Sequence, residues 1–302
     1  MAKMSTKLRS AVVAAVAVAG LGLGAGAASA QPALPPMPAM PESPAIPGIS
    51  FPPAPGNKEF VAFGDSFTAN AGKAGPRGLE PGQNPLVANC ATDMENWPKI
   101  AAGQLNMSVG DWSCNGTGGM PVVQLLAYVE AAIAQGDLGP GTKEVVLMYG
   151  GMDALQWVDV GGRMMGQVNM DPTVYRDTMR QVKDRVKQVA PDARVTLTSY
   201  PEYATGDKLC LVNLPGQTIP IDAPGATQIQ EAFRDTIASA AYYSGSHFID
   251  VYQQSIGHGT CNPNDADRWV AGFADPALGP MTNHPTIAGE YAMGNIIAGG
   301  LR

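Results

Sequence analysis

Charge, histidine and recognisable metal motifs are all scarce in this chain of 302 residues. Charged residues make up 15% of the sequence, no long charge run occurs, and the formal net charge is -7. A sparsely charged, acidic chain argues against nucleic acid as a partner and against an electrostatic hold on anionic membranes. There is no C-x-x-C pair and no H-E-x-x-H, Walker loop or calcium loop, so no metal, dithiol or nucleotide cofactor is expected. Beyond residue 30 nothing approaches the roughly 20 consecutive apolar residues of a membrane span. What remains is a chain that is 45% hydrophobic, enough for one sizeable globular domain with a full core.

The N-terminus reads as export machinery. Lys3, Lys7 and Arg9 precede an apolar run over residues 11–24, and Ala28-Ser29-Ala30 offers a small-residue cleavage site. Cleavage removes three basic residues and no acids, which takes the net charge to -10. Residues 31–57 hold ten prolines in 27 positions, a composition that stays extended and cannot build a core, and so reads as a spacer. The folded domain is therefore placed at 58–302. The four cysteines, Cys90, Cys114, Cys210 and Cys261, all follow the leader. An even number in an oxidising compartment reads as two disulfides with three connectivities open; pairing Cys90 with Cys114 and Cys210 with Cys261 keeps each bridge in its own half of the chain.

From residue 59 the pattern alternates between short apolar runs and amphipathic segments. Strands are expected near 60–63, 107–112, 144–149, 194–199 and 247–251. Helices are expected over 92–105 (capped by Thr92 with Glu95 completing a capping box), 122–134, 172–189 (capped by Asp171), 227–241 and 286–297. Five strands alternating with helices predict a parallel sheet covered on both faces. Residues 155–171, with Trp157, Val158, Val160, Met164 and Met165, are expected as a loop that packs on the sheet, lines an acyl pocket or acts as a lid. With 72–89 and 209–223, that segment is where substrate choice should lie.

Three strands end in small polar turns: Gly64-Asp65-Ser66, Asn115-Gly116 and Gly150-Gly151-Met152-Asp153. All should open on the carboxyl edge of the sheet, where such sheets hold their ligands. A fourth element, His284-Pro285, stands just before the last helix. Taken alone, Gly-Asp-Ser is an ordinary strand-to-helix turn with Asp65 or Ser66 as N-cap. The order of all four resembles the GDSL or SGNH hydrolase family, over about residues 59–302. The resemblance implies an α/β fold, a flavodoxin-like three-layer α/β/α sandwich around a parallel sheet of about five strands. It makes Ser66 the nucleophile and His284 the general base, with the N–H groups of Ser66 and Gly116 as oxyanion hole. It makes Gly151, Met152 and Asp153 the substrate-binding turn. It also makes His258, in Ser255-Ile256-Gly257-His258-Gly259-Thr260-Cys261, a structural residue. The G-x-S-x-G of the α/β-hydrolase fold is absent at every serine.

Two departures from the family pattern stand out. Met152 occupies the place of an oxyanion-donating asparagine, which leaves two donors unless Asn115 substitutes. Met281 occupies the place of the triad acid three before His284. The backbone carbonyl of Met281 is the expected orienting group for the imidazole, with Asp275 as the carboxylate alternative. The reading is a secreted or cell-envelope serine esterase or lipase, monomeric, without cofactor, acting on lipid or acylated-glycan esters. An envelope acyltransferase using the same acyl-enzyme, and a catalytically weakened binding protein of the same fold, are the alternatives.

Overall fold

The structure is a computed structural model that describes residues 56–71, 79–81, 91–115, 124–151, 155–159, 164–168, 171–277, 279 and 281–302. The leader, the proline-rich stretch up to residue 55, Cys90, Gly116, Met152 and Asp153 lie outside the described residues.

The strands are β1 (Phe60–Gly64), β2 (Leu79–Pro81), β3 (Ala91–Asp93), β4 (Val109–Asp111), β5 (Glu144–Met148), β6 (Leu155–Asp159), β7 (Met164–Val168), β8 (Arg194–Thr198), β9 (Lys208–Leu214), β10 (Gln217–Asp222) and β11 (His247–Ile249). The helices are α1 (Ser66–Ala69), α2 (Trp97–Leu105), α3 (Gln124–Ala134), α4 (Pro172–Val189), α5 (Ala226–Ser244), α6 (Val251–Gln254) and α7 (Ile287–Leu301). Five strands form one parallel sheet in the order β11-β8-β5-β1-β4. Numbered among themselves the sheet strands run 2-1-3-4-5, the flavodoxin-like order. Phe60, Val61, Ala62 and Phe63 of β1 are all fully buried, as a central strand covered on both faces must be. Helices α2 and α7 pack on each other, and α4 packs on α3 and α5, which gives the three-layer α/β/α sandwich. The strand order reverses at β1, the switch point at whose carboxyl edge such sheets hold their ligands, and Ser66 follows β1 directly.

Helix α4 shows why the pattern is readable. Asp171 Oδ1 accepts from the N–H groups of Thr173 and Val174 at 2.8 and 3.3 Å, Pro172 occupies the first position, and Tyr175, Thr178, Met179, Val182 and Val186 form the buried stripe. Three expectations need correction. The helix expected from residue 92 starts at Trp97, because Thr92 pairs in the β2–β3 ladder and its hydroxyl accepts from Lys99 Nζ at 2.8 Å. The cap position falls to Asn96. Residues 155–171 and 209–223 are not plain loops: β6 with β7, and β9 with β10, are antiparallel hairpins.

A disulfide joins Cys210 to Cys261. Cys114 is also disulfide-bonded; its expected partner, Cys90, lies outside the described residues. The segment that follows Cys261 is fixed by Arg268, which is fully buried. Its Nε and Nη2 donate to the two oxygens of Asp275 at 3.0 and 2.5 Å, and Nη2 also to Asp265 at 2.7 Å. Burial works to raise the Asp275 pKa, but hydrogen bonds from Arg268, the Gly272 N–H, Asn213 and the Ala277 N–H outweigh it and hold the carboxyl below its usual range.

Replacing Arg268 with Met leaves a buried, unbalanced carboxylate, a loss of about 3–5 kcal/mol at neutral pH. A depressed carboxyl pKa stabilises the fold above the unfolded value and loses that contribution as pH falls below it. The gap between wild type and Arg268→Met in urea unfolding should therefore narrow below about pH 4. A gap that stays constant down to pH 3 would show that the Asp275 charge is not what Arg268 balances.

Candidate active site

Strand β1 ends at Gly64 because the chain folds back on itself at once. A Cβ at Gly64 would lie 2.0 Å from Thr68 Oγ1, so only glycine admits this approach. Asp65 then caps α1, its Oδ1 accepting from the Phe67 N–H at 2.9 Å. The other oxygen reaches across the sheet edge. Oδ2 accepts from the Gly151 N–H at 2.9 Å and from the Tyr200 hydroxyl at 2.5 Å. One carboxylate thus ties together the turns that follow β1, β5 and β8. Its charge is felt by Tyr175: burial first, then Asp65, pushes that phenol pKa upward. The Tyr175 hydroxyl stays protonated and donates to the Tyr149 carbonyl at 3.0 Å.

The geometry narrows what Gly151, expected as a substrate contact, can offer. The Gly151 N–H is committed to Asp65, and a Cβ there would lie 2.4 Å from both Asp65 Oδ2 and the Tyr200 ring. The Gly151 N–H therefore builds the turn and is not free to donate to a substrate. Asn115 is likewise engaged elsewhere and does not serve as a substitute oxyanion donor. Its amide Nδ2 donates to the Ala71 carbonyl at 3.0 Å and lies 3.3 Å from Met281 Sδ, while Oδ1 accepts from the Ala71 N–H at 3.3 Å.

Ser66 opens α1 and is 8% exposed. Its Oγ lies 2.7 Å from His284 Nε2, although the two residues are 218 apart in sequence. His284 Nδ1 lies 2.8 Å from the carbonyl oxygen of Thr282. A carbonyl can only accept, so Nδ1 carries the proton and Nε2 presents its lone pair to the serine hydroxyl. This corrects the expectation for Met281: the orienting carbonyl belongs to Thr282, one residue nearer the histidine, and Met281 packs its sulfur toward Asn115. Asp275 is equally excluded from that role by its commitment to Arg268. The Phe67 ring lies 5.0 Å from the imidazole and covers one side of it. As the first residue of α1, Ser66 has an N–H with no acceptor among the described residues.

The histidine is held by main-chain pairing. The Ala271 N–H donates to the His284 carbonyl at 3.0 Å, the Asn283 N–H to the Gly272 carbonyl at 3.1 Å, and the Thr286 N–H to the Trp269 carbonyl at 2.9 Å. Thr286 caps α7, its Oγ1 accepting from the Gly289 N–H at 3.0 Å. His258, expected to be structural, stacks on Trp269 at 3.9 Å between ring centroids, and its Nδ1 lies 2.9 Å from the Asp267 carbonyl. It thereby supports the segment that pairs with the His284 loop. His247 lies at the exposed edge of the sheet.

The roles of Asp65 as a pin, and of Tyr200, Thr282, Asn70 and Glu290, lie outside what the motifs announce. The last carries a signal of its own: Glu290 is the one charged residue in a mostly apolar helix, a pattern that points to a buried partner. Among the described residues no cluster of His, Cys, Asp and Glu is arranged to hold a metal ion, and no helix is long and apolar enough to cross a membrane.

The model of the GDSL-like lipase/acylhydrolase family matches residues 62–292. Among curated relatives the chain is similar to "Lipase 2" of Streptomyces coelicolor, 26% identical over 257 residues, with 78% of this chain and 83% of the relative covered. It is similar also to "Esterase" of Streptomyces scabiei, 27% identical over 297 residues, covering 76% and 81%. Among solved structures, the extracellular lipase of Streptomyces rimosus superposes with a TM-score of 0.50 at 21% identity, covering 79% of this chain and 97% of that one. Phospholipase A1 of Streptomyces albidoflavus NA297 gives 0.51 at 20% identity, covering 80% and 98%. At those identities the two structures establish the common fold. The family match spans most of the chain and encloses both Ser66 and His284, and the chain belongs to the GDSL-like lipase/acylhydrolase family of carboxylic ester hydrolases.

Proposed function

We propose that this chain is a secreted serine esterase or lipase that works through an acyl-enzyme on Ser66. The observation that carries the reading is the 2.7 Å contact between Ser66 Oγ and His284 Nε2, with the imidazole tautomer fixed from the Thr282 side. A serine hydroxyl becomes an effective nucleophile when a positioned base takes its proton. Ser66 Oγ attacks the ester carbonyl carbon while its proton passes to Nε2. The tetrahedral oxyanion is met by the N–H groups of Ser66 and, from the sequence motif, Gly116. Collapse breaks the ester C–O bond, and the imidazolium returns its proton to the leaving alkoxide. A water, deprotonated by Nε2, then releases the acid and regenerates Ser66. Lipid or acylated-glycan esters are the substrate classes within reach of an exported enzyme. Export is supported by the basic and apolar leader and by disulfide use at Cys114 and between Cys210 and Cys261.

On a p-nitrophenyl ester series, Ser66→Ala and His284→Ala should each lower kcat by a factor on the order of 10⁴ or more. A fluorophosphonate probe should label wild type and not Ser66→Ala; labelling that survives the substitution removes Ser66 as nucleophile. Adding glycan or alcohol acceptors reports transfer directly, as ester product in place of free acid.

The free base must be an unprotonated imidazole. We therefore expect kcat/KM to fall about tenfold per pH unit on the acid side, with a single-proton dependence. A flat profile from about pH 5 to 8 would exclude His284 as the base.

Restoring a side-chain donor with Met152→Asn should raise kcat on the order of tenfold or more with little change in KM. An unchanged kcat would mean that a third donor is not what limits this site.

A further inference from the structure

We propose that Asn70 is a positioning residue that locks the base to the nucleophile, with Glu290 as the group that holds Asn70 in place. The proposal rests on the Ser66–His284 reading and deepens it. Asn70 is fully buried and ends α1 in the left-handed conformation, φ 44°. Its backbone N–H donates to the Ser66 carbonyl at 2.9 Å, so it caps the single turn that carries the nucleophile. Its side chain faces the other way. Nδ2 donates to the Pro285 carbonyl, immediately after His284, at 2.9 Å, and to Glu290 Oε1 at 2.7 Å. One residue therefore bonds to both the serine's own peptide and the peptide next to the histidine.

The chemistry of the amide fits that task. Both Nδ2 hydrogens meet acceptors, a carbonyl and a carboxylate, which fixes the orientation of the amide. Its Oδ1 accepts nothing among the described residues. Asn70 is used only as a double donor, in the kind of buried site where an unmatched polar atom is costly. Glu290 completes the arrangement. It is fully buried in the first turn of α7, where the helix N-terminus favours a negative charge, and its Oε2 accepts from the Trp97 N–H at 2.7 Å. The same carboxylate thus binds α2, α7 and Asn70. The group facing His284 Nδ1 is a carbonyl, which orients the ring with a dipole rather than a full charge. The position of residues 284 and 285 relative to Ser66 then depends the more on bridging contacts such as this one.

The test separates positioning from stability. Asn70→Asp has the same shape but no donor, so it loses the Pro285 contact and sets two carboxylates against each other. Adding Glu290→Gln repairs the second fault alone: the glutamine Nε2 donates to the introduced carboxylate while its Oε1 still accepts from the Trp97 N–H. We expect Asn70→Asp to lower Tm and kcat, and the double variant to recover most of the Tm while kcat stays ten- to a hundredfold low, as an order of magnitude, at unchanged KM. Asn70→Gly keeps the left-handed cap, removes the amide without adding a charge, and should show the same kcat loss. Recovery of kcat together with Tm in the double variant would overturn the proposal, as would wild-type kcat in Asn70→Gly. If wild type itself shows no turnover that depends on Ser66, the hydrolase reading falls too; if it does and these variants match it, only the role of Asn70 falls.

Discussion

Asp65 is a carboxylate with almost no access to water, and a group of that kind persists in a protein interior only if donors replace its solvent. Among the described residues three donors do so, and each comes from the carboxyl end of a different sheet strand: the Phe67 N–H after β1, the Gly151 N–H after β5 and the Tyr200 hydroxyl after β8. Satisfying one oxygen pair thereby sets the spacing of three turns. The two glycines follow from the same demand. Gly64 lets α1 start immediately beneath the strand, and Gly151 lets its backbone reach the carboxylate past the Tyr200 ring. Ser66, one residue along, inherits its position from this arrangement together with the Asn70 N–H that caps its carbonyl. The motif's middle residue is structural, and its bonds put the last residue at the sheet edge.

Where the fold is legible in the sequence, local and tertiary signals agree. Residues 60–63 are apolar throughout and form a strand buried on both faces; α4 has its cap, its proline and its stripe, and begins and ends where they say. Where the two diverge, a tertiary partner overrides a good local signal. Thr92 and Glu95 form a plausible capping box, yet Thr92 pairs in a ladder and its hydroxyl serves Lys99, while Asn96 uses its amide on the Thr68 carbonyl and Asp111 at 2.8 and 2.7 Å. The Trp97 N–H at the start of α2 is met from elsewhere, by Glu290. Nothing within ten residues of Trp97 announces that. The two hairpins are illegible for a different reason. Gln217–Asp222 contains Pro220 and alternates weakly, the pattern of a two-stranded ribbon with one solvated face, which carries little hydrophobic signal.

The site divides the same way. The pairing of Ser66 with His284 is legible because the family motif marks both residues and their order. Thr282 is not, since a backbone carbonyl has no residue type to recognise; which peptide faces Nδ1 depends on the turn. That turn has Asn283 at φ 58°, a left-handed residue, and it brings the carbonyl two residues before the imidazole, rather than three, into reach. Asp275 is a reasonable carboxylate on chemistry alone. Its partners in space, Arg268 and the Gly272 and Ala277 N–H groups, use both of its oxygens to close the segment that pairs with the histidine strand.

In the mechanism we propose, a carbonyl at His284 Nδ1, where a triad would have a carboxylate, changes what orients the base. A carboxylate fixes the tautomer and also attracts the imidazolium that forms as Ser66 loses its proton. A carbonyl fixes the tautomer and offers only a dipole. More of the orienting force must then be geometric, which explains why the loop bearing His284 is held from so many sides. Residues 269–272 pair with 283–286 through main-chain bonds, Thr286 Oγ1 donates to the Arg268 carbonyl at 2.7 Å, and Gly289 sits so close to the Trp269 carbonyl that a Cβ would lie 2.1 Å from it. Buried Arg268 in turn fixes that strand. Each of these contacts is neutral backbone or distant from the ring, so they hold the imidazolium in place without stabilising its charge. On the proposed mechanism, rigidity of support then takes on part of what a triad carboxylate would do for orientation, and more of the charge stabilisation falls to the oxyanion side. In that same proposed mechanism, this is also the side where the sequence has Met152 in place of the family's side-chain donor.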